Sequence, residues 1–291
     1  MKTWLFSLTA LLLGSAHLGA QPAYPRPQLL LEAKDLQAGA DKFVILDARS
    51  KAKYTEGHIP GAVWVDHDAW SKDFGINPND KEWPGRASRL GIDNVKPVAV
   101  YDDGGVKDAA RIWYILRYLG VKDVRLVNGG LAAWKAEKLP LSDKLEAIPL
   151  TVFKAGPPLA SLHADQDRVL NFLKEKKTQI IDARSEKEYC GDTKTAKRSG
   201  SMPGALHLEW NEAIDPKTKK FKSADEVTKL FQDAGIDLSK PSVTYCQSGG
   251  RASVMVFTME LMGAKEVANY YRSWSEWGNA EATPVVTPKR K

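Results

Sequence analysis

The chain repeats itself once, and that constrains its fold more than any composition value. "VILDARSKAKY" at Val44–Tyr54 returns as "IIDARSEKEY" at Ile180–Tyr189. "HIPGAVWVD" at His58–Asp66 returns as "SMPGALHLE" at Ser201–Glu209, and "VAVYDDGG" at Val98–Gly105 as "SVTYCQSGG" at Ser242–Gly250. "YLGVKDVRLVNGGLAAW" at Tyr118–Trp134 returns as "LMGAKEVANYYRSWSEW" at Leu261–Trp277. The blocks keep their order, with an offset of 135 to 144 residues. A period this long means duplication of a whole domain and not a solenoid of short repeats. The 291 residues suffice for two ordinary domains. A Pro-bearing stretch lies between the copies. The boundaries expected are a leader over 1–20, a first domain over 28–140, a linker over 141–160 and a second domain over 161–286.

Each copy alternates two patterns. Short runs rich in β-branched residues, such as Val44–Leu46, Val98–Val100, Val124–Val127, Ile180–Ile181 and Val243–Tyr245, predict buried strands. Between them, Ala109–Leu119 and Ala252–Met262 predict helices, closed by Gly120 and Gly263. Strand and helix in alternation give an α/β fold, here two similar domains, each a mostly parallel sheet flanked by helices. Ligands in such folds bind beyond the carboxyl ends of the strands.

The first twenty residues stand apart. "MKTWLFSLTALLLGSAHLGA" has a positive Lys2, an apolar run over Trp4–Leu13 and small residues ending at Ala20. This is the layout of a secretory signal peptide cleaved after Ala20, and the apolar core is short for a bilayer span of about 20 residues. The expectation is an exported, periplasmic protein with no membrane segment in its mature form. The net charge of +6 is spread along the chain. It lacks the clustering that nucleic-acid binding requires, and suits small anionic partners.

Only two cysteines are present, Cys190 and Cys246, too few for a disulfide scaffold in a chain of this size. Cys246 ends a predicted strand and is followed by Gln247, Ser248, Gly249, Gly250 and Arg251, then a predicted helix. Two glycines let the backbone curl so that successive N–H groups turn inward as an anion-binding nest. The following helix adds its N-terminal dipole, and Arg251 adds a full charge. All three favour thiolate over thiol and also hold a bound anion, as a nucleophilic cysteine acting on an anionic substrate requires. A buried packing cysteine would need neither the glycines nor the charge. The first copy has Asp102 where the second has Cys246, so it is expected to be catalytically silent.

These residues carry a family resemblance over about Gln28 to Val286. "ILDAR…GHIPGA" (Ile45–Ala62), "CQSGGRAS" and "YYRSWSEWGNAEATPV" (Tyr270–Val285) resemble the signatures of the tandem-domain rhodaneses, which are sulfurtransferases. The resemblance implies a site near the domain interface. Cys246 would take a sulfane sulfur from a small anionic donor such as thiosulfate and hold it as a persulfide. It would then pass the sulfur to cyanide or a thiol acceptor, with no metal or organic cofactor. Gln247, Ser248, Gly249, Gly250 and Arg251 would form the cradle, and Arg198 is a further candidate for the substrate anion. Asp182 and Arg184 would lie beside the loop, where a salt bridge holding strand to loop is the simpler reading. Trp274 and Trp277 read as core, and Glu276 as a local cap or pair.

The pattern departs from the family at Ser201 and Met202, where His-Ile is common. Cys190 stands where mercaptopyruvate-specific relatives tend to carry an arginine, and their loop tends to end in a hydroxyl residue instead of Arg251. Both departures favour thiosulfate or a persulfide donor over 3-mercaptopyruvate. If close enough, Cys190 would pair with Cys246 as a redox shield; otherwise it is an unreactive half-buried thiol. A rhodanese-fold phosphatase would place five residues between Cys and Arg. Four stand here, which leaves a cradle small for a tetrahedral phosphate. A persulfide carrier without fast turnover has the same sequence signals.

Overall fold

The computed structural model describes residues 23–290. The predicted leader, residues 1–20, lies outside the described residues. The first domain contains β1 (Leu30–Leu31), β2 (Val44–Asp47), β3 (Ala62–Trp64), β4 (Val98–Tyr101) and β5 (Val124–Val127). The second contains β6 (His163–Ala164), β7 (Gln179–Asp182), β8 (Leu206–His207), β9 (Ser242–Tyr245) and β10 (Val267–Tyr270). The sheets have the same topology, β1-β5-β4-β2-β3 and β6-β10-β9-β7-β8.

Every strand pairing within the two sheets is parallel. The central strands β4 and β9 are buried along their whole length. A strand covered by helices on both faces has no use for polar alternation, which is why these segments read as continuous apolar runs. The runs named from sequence cover β2, β4, β5, β7 and β9; of the others, β1, β6 and β8 are two residues each, and so short an edge has no periodicity to detect.

Two helices decide how the domains meet. The helix Lys107–Tyr118 follows β4, and the helix Gly250–Leu261 follows β9. Of the latter's residues, all but Arg251 are buried, as an almost wholly apolar helix requires. It has the second sheet on one side and its counterpart from the first domain on the other. Trp113 and Phe257 meet across that contact edge to face, with ring centroids 5.0 Å apart. One hydrophobic cluster therefore runs through both domains. Because the helices start at the carboxyl ends of β4 and β9, their N-termini and the loops before them lie at the domain junction.

The connecting stretch is strapped to the first domain. His58 and Ser142 exchange backbone hydrogen bonds, and Thr151 Oγ1 donates to the carbonyls of Ser88 and Ile92. The tail of the second domain does the same: Ser201 and Val286 exchange backbone hydrogen bonds at the equivalent place.

Candidate active site

The site is built on a buried frame present in both copies. Asp182 ends β7 and faces Tyr245, the last residue of β9, in register. The Tyr245 hydroxyl donates to Asp182 Oδ2 at 2.6 Å, and Arg184 grips the same carboxylate through Nε and Nη2, the latter at 2.6 Å. Arg184 Nη2 also donates to the Gly200 carbonyl, and its guanidinium lies 4.3 Å from the Trp274 ring centroid. Asp182 and Arg184 are both 0 % exposed. They are a structural pair that ties two strand ends together one residue before the loop, and touch no open surface. Asp47, Arg49 and Tyr101 repeat the arrangement in the first domain.

Cys246 follows this frame and is 1 % exposed. Its N–H donates to Ser273 Oγ at 3.0 Å, and its carbonyl accepts from the Trp274 N–H. The Ser273 hydroxyl lies 4.0 Å from Cys246 Sγ. Gly249 takes φ +85, and a Cβ there would sit 2.7 Å from Tyr271, so only glycine fits. Its carbonyl is held by Asn269 Nδ2 at 3.1 Å. The N–H groups of Gln247 to Ala252 donate to no acceptor among the described residues.

The first domain shows what such a loop holds. Asp102 stands in the place of Cys246, and its carboxylate accepts four backbone N–H groups from the turn and the first turn of the following helix: Gly104, Val106, Asp108 and Ala109, at 2.8 to 3.2 Å. Burial pushes the Asp102 carboxyl up, and these donors oppose the shift. An anion attached to the residue after the strand is thus the natural occupant of this turn. The two loops differ by one residue. Val106 caps the first helix in left-handed conformation and Gly249 the second, four and three residues after Asp102 and Cys246. The Gly-Gly pairs therefore do not superpose as the sequence match suggests. Asp108, not a cation, stands in the place of Arg251.

A rhodanese-like domain model matches residues 30–137 and again 165–280. The chain belongs to the rhodanese family. It is 35 % identical to a thiosulfate sulfurtransferase of Azotobacter vinelandii over 88 % of this chain and 96 % of the relative. It is also 35 % identical to a sulfur carrier protein of Thermus thermophilus, over 80 % of this chain and 86 % of the relative. A crystal structure of a 3-mercaptopyruvate sulfotransferase from Escherichia coli superposes with a TM-score of 0.75 at 29 % identity, covering 85 % of this chain and 99 % of that one.

Within this rhodanese the sequence-predicted residues separate into groups. Cys246, Gly249 and Gly250 form the turn itself. Gln247 reaches sideways, exchanging hydrogen bonds with Thr195 and tying the loop to the 190–199 insertion. Arg251 is taken by Glu188 in a bidentate pair at 2.6 and 2.8 Å. Burial pushes the Glu188 carboxyl up, but the Arg251 guanidinium outweighs it and holds the group at about 2. The expectation for Arg198 is corrected. Its guanidinium donates to the carbonyls of Trp277, Ala280 and Thr283, so its charge closes the C-terminal segment instead of facing a substrate. Cys190 and Cys246 are both free. Cys190 borders a small cavity with Tyr189, His207 and Lys289 that no residue of the Cys246 loop lines, and the two thiols are not bonded to each other. Trp274 and Trp277 are buried core, and Glu276 accepts from Tyr270 Oη.

Three contributors escaped the sequence reading. Ser273 adopts φ +53 where the first copy has Gly130 at +54, so a serine stands in a glycine's conformation beside the thiol. Comparing "NGG" with "YRS" across the copies would have exposed it. Glu188 was hidden in an ordinary capping box with Ser185. The third comes from the other domain. A cleft of about 430 Å³ above the loop is lined by Ser248, Tyr271 and Arg272 of the second domain, and by His67, Lys107 and Arg111 of the first among others. Arg111 sits inside an apolar helix pattern, and only the domain packing reveals where it points.

Proposed function

We propose that the chain is a sulfurtransferase that takes a sulfane sulfur from thiosulfate, or a closely related inorganic donor, onto Cys246. The Cys246 thiolate attacks the outer sulfur of thiosulfate. The sulfur–sulfur bond of the donor breaks, its electron pair leaves with sulfite, and Cys246 carries a persulfide. Cyanide or a thiolate then attacks the outer persulfide sulfur. It leaves as thiocyanate or an acceptor persulfide, and Cys246 returns to the thiolate. The exchange is ping-pong and draws on the protein's own thiol alone. N–H groups of the Gln247–Ala252 turn stabilise the persulfide anion as a preorganised set of donors.

One observation carries the reading: the twin turn in the first domain is closed by the four-donor Asp102 carboxylate, while in the second the residue at that place is a thiol. Thiosulfate over 3-mercaptopyruvate is supported by Arg251, which ends the loop where mercaptopyruvate-specific relatives tend to carry a hydroxyl residue. The likeness to a sulfur carrier protein favours a second reading, in which the persulfide is handed to a partner protein and cyanide is only a laboratory acceptor. We further propose export to the periplasm through residues 1–20; the N-terminal sequence of the protein recovered from cells tests this, with Gln21 as the expected first residue.

The test is mass spectrometry after incubation with thiosulfate. The peptide bearing Cys246 gains about 32 Da, one sulfur, and loses it on addition of cyanide. C190A behaves as the wild type and C246A gains nothing. A C246A protein that still forms thiocyanate would overturn the proposal.

A further inference from the structure

We infer that Arg111, supplied by the silent domain, binds the anionic end of the sulfur donor above Cys246. This rests on the sulfur-transfer reading and adds a residue from the other half of the chain to the site.

The argument begins with where the guanidinium lies. Gly250 is the first residue of the helix after the loop, and a Cβ built on it would meet Arg111 Nη2 at 2.3 Å. Arg111 therefore rests on the backbone of Gly250, beside N–H groups that have no acceptor among the described residues. A cation set against the positive end of a helix is repelled unless an anion shares the space.

Arg111 also differs from the other arginines of the site in what it touches. Arg184 is held by Asp182, Arg251 by Glu188, Arg198 by three carbonyls, and Arg117, six residues along the same helix, faces Glu260 at 3.5 Å. Arg111 has no carboxylate partner among the described residues. Its Nη1 donates to the hydroxyls of Ser71 and Tyr271, and its charge lies 5.6 Å from the Tyr271 ring centroid. Nη2 and Nε make no hydrogen bond there. The other cations of the cleft are paired or exposed: Lys107 with Asp108 at 3.4 Å, Arg272 with Glu276 at 3.2 Å, and Lys72 at the exposed rim. Arg111 is thus the half-buried cation left with free donors, and those donors lie against Gly250, the first helical residue after the cysteine loop. A planar fork with two unspent N–H directions matches two oxygens of a sulfonate or sulfite group. The donor's oxyanion would be held by Arg111 while its outer sulfur points down toward Cys246. The domain that lost its cysteine would thereby keep a part in binding.

Two measurements on the full chain test this. In the first, persulfide formation on Cys246 is followed against thiosulfate concentration. R111Q raises the half-saturating concentration about tenfold, R111K recovers part of the loss, and discharge of the preformed persulfide to dithiothreitol stays within about twofold of wild type. G250A, whose added methyl occupies the Nη2 position, acts in the same direction and has no further effect in R111Q. In the second, sulfite is titrated calorimetrically into C246A and C246A/R111Q. Heat of binding in the first and none in the second supports the inference. Equal thiosulfate dependence in wild type and R111Q, or equal sulfite binding by the two C246A proteins, overturns it. If the wild type acquires no sulfur from thiosulfate while sulfite binding still depends on Arg111, the sulfur-transfer reading fails and the anion site stands. Thermal melting of R111Q and R111K guards against misfolding.

Discussion

Asp102 and Cys246 each follow a tyrosine that ends a central strand, and both tyrosines donate to a buried aspartate at 2.6 Å. The frame beneath the two residues is the same, so the difference between the two turns lies in what the next side chain brings. Asp102 brings a carboxylate that takes up the N–H groups around it. D102N keeps the shape but turns an NH₂ toward backbone donors and removes the charge. It should cost roughly 2 kcal/mol, as expected for leaving buried donors unsatisfied. Denaturant unfolding would register the loss, while sulfur loading on Cys246 stays within a few-fold of wild type. D102C should gain no sulfur from thiosulfate, since Asp108 stands where the reactive turn has Arg251. A persulfide at residue 102 would show that the frame alone suffices.

Glu188 does two jobs at once. It closes a capping box with Ser185 and holds Arg251 with both oxygens. Breaking a half-buried pair by removing one partner leaves the other charge uncompensated, so E188Q should destabilise by roughly 2 kcal/mol and slow sulfur loading about tenfold. The pH dependence has a definite sign. The Glu188 carboxyl is held at about 2 in the folded protein against an ordinary 4.5. Its contribution is therefore complete above pH 4.5 and is lost as the pH falls toward 2. The stability difference between wild type and E188Q should shrink across that window. A constant difference would mean that Glu188 acts through packing.

Much of the site was legible in the sequence because duplication supplies an internal control. Cys246 stood out against Asp102, and the glycines and Arg251 followed from the chemistry of a strand-to-helix turn. What sequence missed is what only tertiary packing creates. Arg111 reaches the loop because two apolar helices from different domains lie together, and no spacing within either copy encodes that contact. Arg198 misled because the resemblance places a substrate-facing arginine there, whereas the C-terminal segment folds back and offers it carbonyls from residues 277, 280 and 283. The sheet order was likewise out of reach: a parallel sheet pairs strands distant in sequence, and edge strands of two residues carry no period.

Gly249 and Gly250 are adjacent and should respond differently to the same change. Gly249 combines φ +85 with a Tyr271 ring and carbonyl 2.7 Å from any added Cβ. G249A therefore forces both backbone strain and movement of Tyr271, costing about 2–3 kcal/mol and most of the loading activity. Gly250 is helical, and the nearest obstacle to an added Cβ is the guanidinium end of the Arg111 side chain. G250A should melt within a few degrees of wild type. Unfolding curves of the two variants side by side check the contrast, and equal losses would contradict it.

The domain junction should weaken in mild acid through His163. Its ring lies among Phe74, Tyr114 and Tyr118 of the first domain, with Nδ1 3.2 Å from Tyr114 Oη. Burial pulls the imidazole down to about 4, against an ordinary 6.5; Asp165 opposes the shift and Arg168 adds to it. The ring is therefore neutral in the folded protein at pH values where the unfolded chain already binds a proton. Stability from this group is complete above pH 6.5, begins to fall below it and is exhausted by about pH 4. Allowing for partial exposure, the loss should be roughly 2 kcal/mol. H163Q cannot titrate, so the difference between its stability and that of the wild type should narrow in steps from pH 7 to pH 4. Other carboxyls titrate in this range, but they do so equally in both proteins and cancel in the difference. A gap that stays constant over these pH values would mean that the ring takes up its proton at the same pH in the folded protein as in the unfolded chain, against the burial seen for it.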